Sequence, residues 1–201
     1  MIDYKISEDP IPVILIKNFL IPTEEDRSNI LNNIFNAKKK YDEIEGKKEF
    51  YSYMIEEDYN LFLNKLYKQF ILSCFKIFGN LKISEKNTSS CWGYCSNAID
   101  YSSYWHDHKR TSTINAVYYI NIPQSSKGPL YFRVPKNNNQ FEIFSYHPEN
   151  YDLIIFPNYL EHKPIPPLTE EYRVCINMEI ICDNITSKNI FKKVFPYLFV
   201  D

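Results

Sequence analysis

Asn115-Ala-Val-Tyr-Tyr-Ile-Asn-Ile-Pro123 is a β-type run, rich in β-branched and aromatic residues and closed by a proline. Outward from it, similar runs recur between turn residues: Ser90 to Cys95, Ser102 to His108, Ser112 to Ile122, Pro129 to Val134, Phe141 to Tyr146, Asp152 to Pro157 and Tyr172 to Ile181. Short strands joined by Asn-, Ser- and Pro-rich turns predict a mainly β antiparallel sandwich or barrel. Lys136 to Gln140, with three asparagines between, reads as a polar hairpin tip. The composition agrees, with 17 Tyr and 14 Phe against three Ala and four Gly, a poor mixture for helices.

Helices are expected only at the ends. Pro12 to Leu20 reads as a strand running into a turn, and Thr23 then caps a helix with Glu24, Glu25 and Asp26 in its first turn and Ile30, Leu31, Ile34 and Phe35 on one face. That helix is expected to end near Lys39, with a loop from Tyr41 to Tyr53. A second helix is predicted from about Glu57 to Phe78, with Leu61, Leu63, Leu66, Phe70, Cys74, Ile77 and Phe78 forming its apolar face and Gly79 stopping it. Ser187 to Val200 reads as a short helix interrupted by Pro196. The 201 residues are read as one domain: an N-terminal strand and two helices over 1–80, a β core over 81–185, and a C-terminal segment over 186–201.

Composition also removes function classes. Hydrophobic residues at 44% and charged residues at 24% describe a folded chain, and a net charge of −2 gives no positive field to gather nucleic acid. Apolar runs fall short of the ~20 residues that span a bilayer, so no membrane role is expected. The opening MIDYKISEDP does not read as a secretory signal, and a cytoplasmic location is the expectation. Cys74, Cys91, Cys95, Cys175 and Cys182 are odd in number and lack a CxxC pair, which speaks for buried thiols over a disulfide framework or zinc ribbon.

Chemistry concentrates in few residues. In Tyr104-Trp-His-Asp-His108, His106 and His108 lie two apart, so on a strand both imidazoles share a face and can meet one ion, with Asp107 facing the other way. A solvent-facing polar pair is the plainer reading of the same pattern. His162 follows the strand Asp152 to Pro157 and a turn, where a loop-borne ligand can reach a barrel mouth; three protein ligands with open positions make a catalytic metal site. The fourth histidine, His147, sits in a turn and is expected to be solvated. On the strand Tyr172 to Ile180, Arg173, Cys175 and Asn177 share one face and Val174, Ile176 and Met178 the other. Arg173 is either a surface charge or a buried guanidinium, which needs an anion.

In this order, HxH, the strand Asn115 to Pro123, Gly128-Pro-Leu-Tyr-Phe-Arg-Val-Pro135, Asp152 to His162 and Arg173 resemble the iron(II)- and 2-oxoglutarate-dependent oxygenases, from about Trp92 to Ile180. More narrowly, the chain is similar to the small oxygenase-like proteins of bacteria and marine phages that carry HxH in place of HxD. The opening Val13 to Asp26 resembles the entry strand and helix of prolyl hydroxylases. The resemblance implies a double-stranded β-helix, a cupin-like jelly roll, with Fe(II) held by His106, His108 and His162. It also implies that Arg173 binds the distal carboxylate of 2-oxoglutarate. The activity implied is a dioxygenase that couples oxidative decarboxylation of 2-oxoglutarate to oxidation of a prime substrate, with molecular oxygen as co-substrate.

Departures from the pattern leave alternatives. Most of the superfamily has Asp or Glu where this chain has His108, so the ligand set is either the three histidines or one in which a bulge brings Asp107 in. The Ser or Thr that often follows the arginine by two positions is Cys175 here, and the spacing from His108 to Val117 is one residue longer. A three-histidine cupin-like dioxygenase without 2-oxoglutarate and a non-catalytic jelly-roll binding module are the competing readings. Tyr94, Tyr104, Tyr118, Tyr119 and Phe156 are candidates for lining the cavity, and Asn115 for a hydrogen bond to a ligand. Tyr41 to Tyr53 and Asn137 to Asn139 are candidates for gating. The prime substrate is expected to be a peptide or a small molecule.

Overall fold

The structure, a computed structural model, describes residues 3–45, 53–54, 61–86, 90–100, 104–136 and 140–199. Its elements are β1 (Lys5–Ile6), β2 (Ile14–Ile16), α1 (Glu24–Glu45), β3 (Tyr53–Met54), α2 (Leu61–Phe78), β4 (Ser90–Ser96), β5 (Ile114–Asn121), β6 (Leu130–Lys136), β7 (Gln140–Tyr146), β8 (Leu153–Pro157), β9 (Glu161–Pro164), β10 (Arg173–Ile180) and α3 (Ser187–Lys192), with a final 3-10 turn at Pro196–Phe199. Among the described residues the strands form two antiparallel sheets. The larger runs in the order β1-β2-β8-β5-β10-β4-β3 and the smaller β7-β6-β9, the jelly-roll arrangement.

Central strands of the larger sheet are buried on both faces, which is why β5 and β10 read as nearly continuous apolar runs. One face of β5, with Ile114, Ala116, Tyr118 and Ile120, packs beneath the helices against Ile30 and Ile34 of α1 and Phe62, Leu66 and Phe70 of α2. The other face, with Val117 and Tyr119, meets Leu130 and Phe132 of the smaller sheet. Each fully buried Leu, Ile or Phe contributes about 1.5–3 kcal/mol of transfer free energy. The helices therefore seal one side of the sheet and leave the space between the sheets for the site.

The expected caps are present. Thr23 Oγ1 accepts from the Asp26 amide at 3.1 Å with three acids in the first turn of α1, and Gly79, at φ 80°, closes α2 by donating its amide to the Phe75 carbonyl at 2.9 Å. α1 continues to Glu45 and does not stop near Lys39, because no glycine or proline interrupts it before Gly46. The remainder of the expected loop up to Tyr53 lies largely outside the described residues, as do the start expected for the second helix and the tip at Asn137 to Asn139. The C-terminal segment splits as the proline required. Its Phe191 ring lies 4.9 Å from Phe78, locking the end of the chain onto α2.

Two strand expectations need correction. Among described residues, Tyr104 to His108 is no strand but a single bridge, His106 to His162. Glu161–Pro164, expected as turn and loop, is strand β9, paired to β6 with Phe132 opposite His162. A short edge segment of Glu, His, Lys and Pro has no apolar alternation, and backbone pairing alone makes it a strand. No helix among the described residues is long and apolar enough to cross a membrane.

Candidate metal centre

The three histidines reach one point from two separate elements. His162 projects inward from β9, buried, with the Phe156 ring at 4.8 Å and the Phe132 ring at 6.3 Å. The HxH segment is laid against it by main-chain bonds: the His106 amide donates to the His162 carbonyl at 3.1 Å, the His162 amide to the His106 carbonyl at 2.9 Å, and the His108 amide to the Asn158 carbonyl at 2.8 Å. Ring centroids of His106 and His108 then stand 4.2 and 5.0 Å from that of His162. One nitrogen from each of the three lies within 4.8 Å of the others, a cluster that can hold a metal ion.

Hydrogen bonding fixes which nitrogens face inward. Nδ1 of His106 lies 2.9 Å from the Tyr104 carbonyl, Nδ1 of His162 lies 3.2 Å from the Leu160 carbonyl, and Nδ1 of His108 lies 2.7 Å from a carboxylate oxygen of Glu179. Carbonyls and carboxylates only accept, so each Nδ1 carries the proton and each Nε2 keeps its lone pair. Nε2 of His108 and Nε2 of His162 are 3.3 Å apart. Two lone pairs at that separation repel unless a cation lies between them, so the donor set fits a metal ion. Burial holds His162 well below the usual histidine range, reinforced by repulsion from its two neighbours, and burial also lowers His106. Both therefore stay neutral, the form that binds metal.

Asp107 is not in the cluster. Its carboxylate takes the Lys109 ammonium at 2.6 Å and the Lys109 amide at 3.2 Å. Desolvation, the largest single influence, raises the carboxyl, but the Lys109 hydrogen bonds and charge together outweigh it and hold the carboxyl below its usual range. The alternation expected for a strand thus survives without the strand.

A cleft of about 580 Å³, counted to its open mouth, joins the histidines to Arg173. Arg173 is buried, with Nη1 donating to the carbonyls of Gly128 and Ile165 at 2.8 Å each and Nη2 to Ser96 Oγ at 3.4 Å. Among the described residues Nε finds no partner and no carboxylate pairs with the guanidinium. Gly128 makes this cradle possible: at φ 65° a Cβ there would lie 2.6 Å from the Ile165 carbonyl oxygen. Trp92, Tyr94, Tyr119 and Cys175 line the same cleft. The Cys175 thiol is pushed up to about 11 by burial, so it stays a protonated wall residue.

The other aromatic candidates divide. Phe156 packs against His162. Tyr118 turns to the helix side, where its hydroxyl donates to the Leu20 carbonyl at 2.5 Å. Tyr104 is exposed, as is His147, the latter as expected. Asn115 sits beside His108, with Oδ1 accepting from Ser112 Oγ at 2.7 Å and Nδ2 buried without a partner. Glu179 was missed by the sequence reading, although it extends the Arg173, Cys175, Asn177 face by one more step.

Residues 90–179 match the family model described as "Putative 2OG-Fe(II) oxygenase". Over those 90 of 201 residues the chain is similar to the iron(II) and 2-oxoglutarate oxygenases. Solved structures share the fold at low identity. HygX from Streptomyces hygroscopicus, solved with nickel and 2-oxoglutarate, is 10% identical over 89% of this chain and 86% of its own, with a TM-score of 0.60. A Pseudomonas putida prolyl-4-hydroxylase is 14% identical over 85% and 92%, TM-score 0.57. A Trichoplax adhaerens prolyl hydroxylase, in complex with a hypoxia inducible factor peptide, is 15% identical over 90% and 86%, TM-score 0.55. No curated protein matches the sequence.

Proposed function

We propose that this protein is an iron(II)- and 2-oxoglutarate-dependent dioxygenase that hydroxylates a peptide or small-molecule substrate. In this reading His106, His108 and His162 hold iron(II), and Arg173 holds the distal carboxylate of 2-oxoglutarate. The observation that carries it is a buried guanidinium without a carboxylate partner, facing the same cleft as three imidazole nitrogens. An uncompensated buried cation is costly, and an anionic ligand removes that cost. Iron(II) with 2-oxoglutarate supplies the activation of dioxygen, coupled to loss of carbon dioxide from the oxo acid.

The chain's own residues bind, orient and keep water out. Gly128 and Ile165 carbonyls fix one edge of the Arg173 fork, leaving Nε and Nη2 to meet a carboxylate side by side. Tyr94 and Tyr119 wall the cleft between the arginine and the histidines, while Phe132 and Phe156 close the apolar side of His162. Five free, buried cysteines suit a reducing cytoplasm.

The test is anaerobic titration of iron(II)-loaded protein with 2-oxoglutarate, monitored through the weak visible charge-transfer band of a chelated 2-oxo acid. The band is expected in the wild type and is lost in His162→Ala. Iron-loaded wild type that develops no band at saturating 2-oxoglutarate would refute the reading.

A further inference from the structure

β10 carries two buried charges of opposite sign on one face. Arg173 at one end is a cation with no anion beside it among the described residues. Glu179 at the other is 5% exposed, and among the described residues no lysine or arginine pairs with it. Its Oε1 accepts from His108 Nδ1 at 2.7 Å and from Thr111 Oγ1 at 3.0 Å. A buried carboxylate needs hydrogen-bond donors or positive charge near by, and of its two donors His108 is the one whose far side faces the metal cluster. Resting on the three-histidine reading above, we infer that Glu179 is a positioning residue that stands in, one residue removed, for the carboxylate ligand this chain lacks.

The argument follows from electrostatics and geometry together. Three neutral imidazoles leave a divalent ion with no protein charge to balance it. A carboxylate hydrogen-bonded to the far side of one imidazole fixes its Nδ1–H tautomer, holds the ring angle and makes Nε2 a stronger donor. His106 and His162 donate instead to main-chain carbonyls, which orient without charge. His108 alone has an anion behind it, and it occupies the position where a carboxylate would otherwise stand. The backbone holds Glu179 in place: it pairs with Asn115 of β5 and Ser90 of β4, and the Tyr67 hydroxyl donates to its carbonyl at 2.8 Å.

The experiment uses the full chain stripped of metal, with cobalt(II) as probe, followed by its visible absorption. Glu179→Gln keeps an acceptor of nearly the same shape and removes the charge; Glu179→Leu removes both. Cobalt(II) is expected to bind about 10-fold more weakly in the first and about 100-fold in the second. In the metal-free protein, ¹⁵N shifts of His108 report the Nδ1–H tautomer in wild type and Glu179→Gln and a mixture in Glu179→Leu, a change that a merely structural role would not produce. If Glu179→Leu does not fold, Glu179→Gln carries the test. Binding within threefold of wild type in the variants, with His162→Ala still abolishing it, overturns the role of Glu179 and leaves the metal reading intact. Full binding by His162→Ala overturns both.

Discussion

Replacing Arg173 by leucine removes the one lysine or arginine among the described residues of the cleft wall while keeping the apolar part of the stem. The structure sets the size of the effect. Two guanidinium bonds on Nη1 are committed to the Gly128 and Ile165 carbonyls, so only Nε and the outer part of Nη2 are left for a ligand carboxylate. Two charge-assisted hydrogen bonds at about 1.5–3 kcal/mol each give about 3–6 kcal/mol. At about 1.4 kcal/mol per tenfold, the affinity for 2-oxoglutarate should fall roughly 10²- to 10⁴-fold. Iron(II) affinity should hold, since the arginine touches none of the histidines in the contacts described. Arg173→Lys keeps the charge without the fork and should fall between. The assay is the anaerobic charge-transfer titration, with thermal melting alongside because two carbonyls lose their donors. A folded, iron-loaded Arg173→Leu protein that binds 2-oxoglutarate within threefold of wild type refutes the anchor.

His108→Ala should abolish iron(II) binding, whereas Asp107→Ala should leave it within about twofold, because the Asp107 carboxylate is engaged by Lys109; equal loss by metal titration would restore Asp107 as a ligand. Gly128→Ala should destabilise the fold by roughly 2 kcal/mol or more in urea unfolding, from the left-handed backbone and the 2.6 Å approach to the Ile165 oxygen, and should weaken 2-oxoglutarate by displacing the acceptors of Arg173. For the metal-free protein, His162 and His106 are held below their unfolded value near 6.5. Below that pH the unfolded chain binds protons that the native state refuses, so stability is full above about pH 6.5 and declines as pH falls. The decline is at most about 1.4 kcal/mol per pH unit for each such histidine. Urea midpoints at pH 7.5 and 5.5 measure this; no difference between them would contradict the burial argument.

The fold was legible wherever one physical signal dominated. β5, β8 and β10 are buried on two faces and announce themselves by β-branched and aromatic density, and α2 by its stripe from Leu63 to Phe78 with Gly79 behind it. β9 was illegible because its strand state comes from pairing with β6, and the HxH segment misled because a two-residue spacing suggests a strand when one bridge suffices. Within the site, His106, His108, His162 and Arg173 were readable as candidates, since alternation places side chains whatever the hydrogen-bonding state. The tautomers were not readable. They depend on the Tyr104 and Leu160 carbonyls and on Glu179, which meet the rings only in three dimensions. The cradle of Arg173 joins Gly128, Ile165 and Ser96 from three distant stretches, and no local pattern marks it.

β10 also ties the cleft to the register of the sheet. Its outward residues, Val174, Ile176, Met178 and Ile180, belong to the helix-side core, and its inward residues to the cleft. A slip of one position would drive a guanidinium, an amide and a carboxylate beneath α2 and expose four apolar side chains to the cleft. The pairing with β5 already accommodates one irregularity, between Val174 and Cys175, next to the arginine. A misregistered chain would forfeit its core and the proposed cofactor sites at once, so in that reading molecules able to bind iron and 2-oxoglutarate are also those whose central strand is correctly threaded. Ligand binding then serves as an assay of folding fidelity, and cofactors supplied during refolding should enrich the correctly paired sheet.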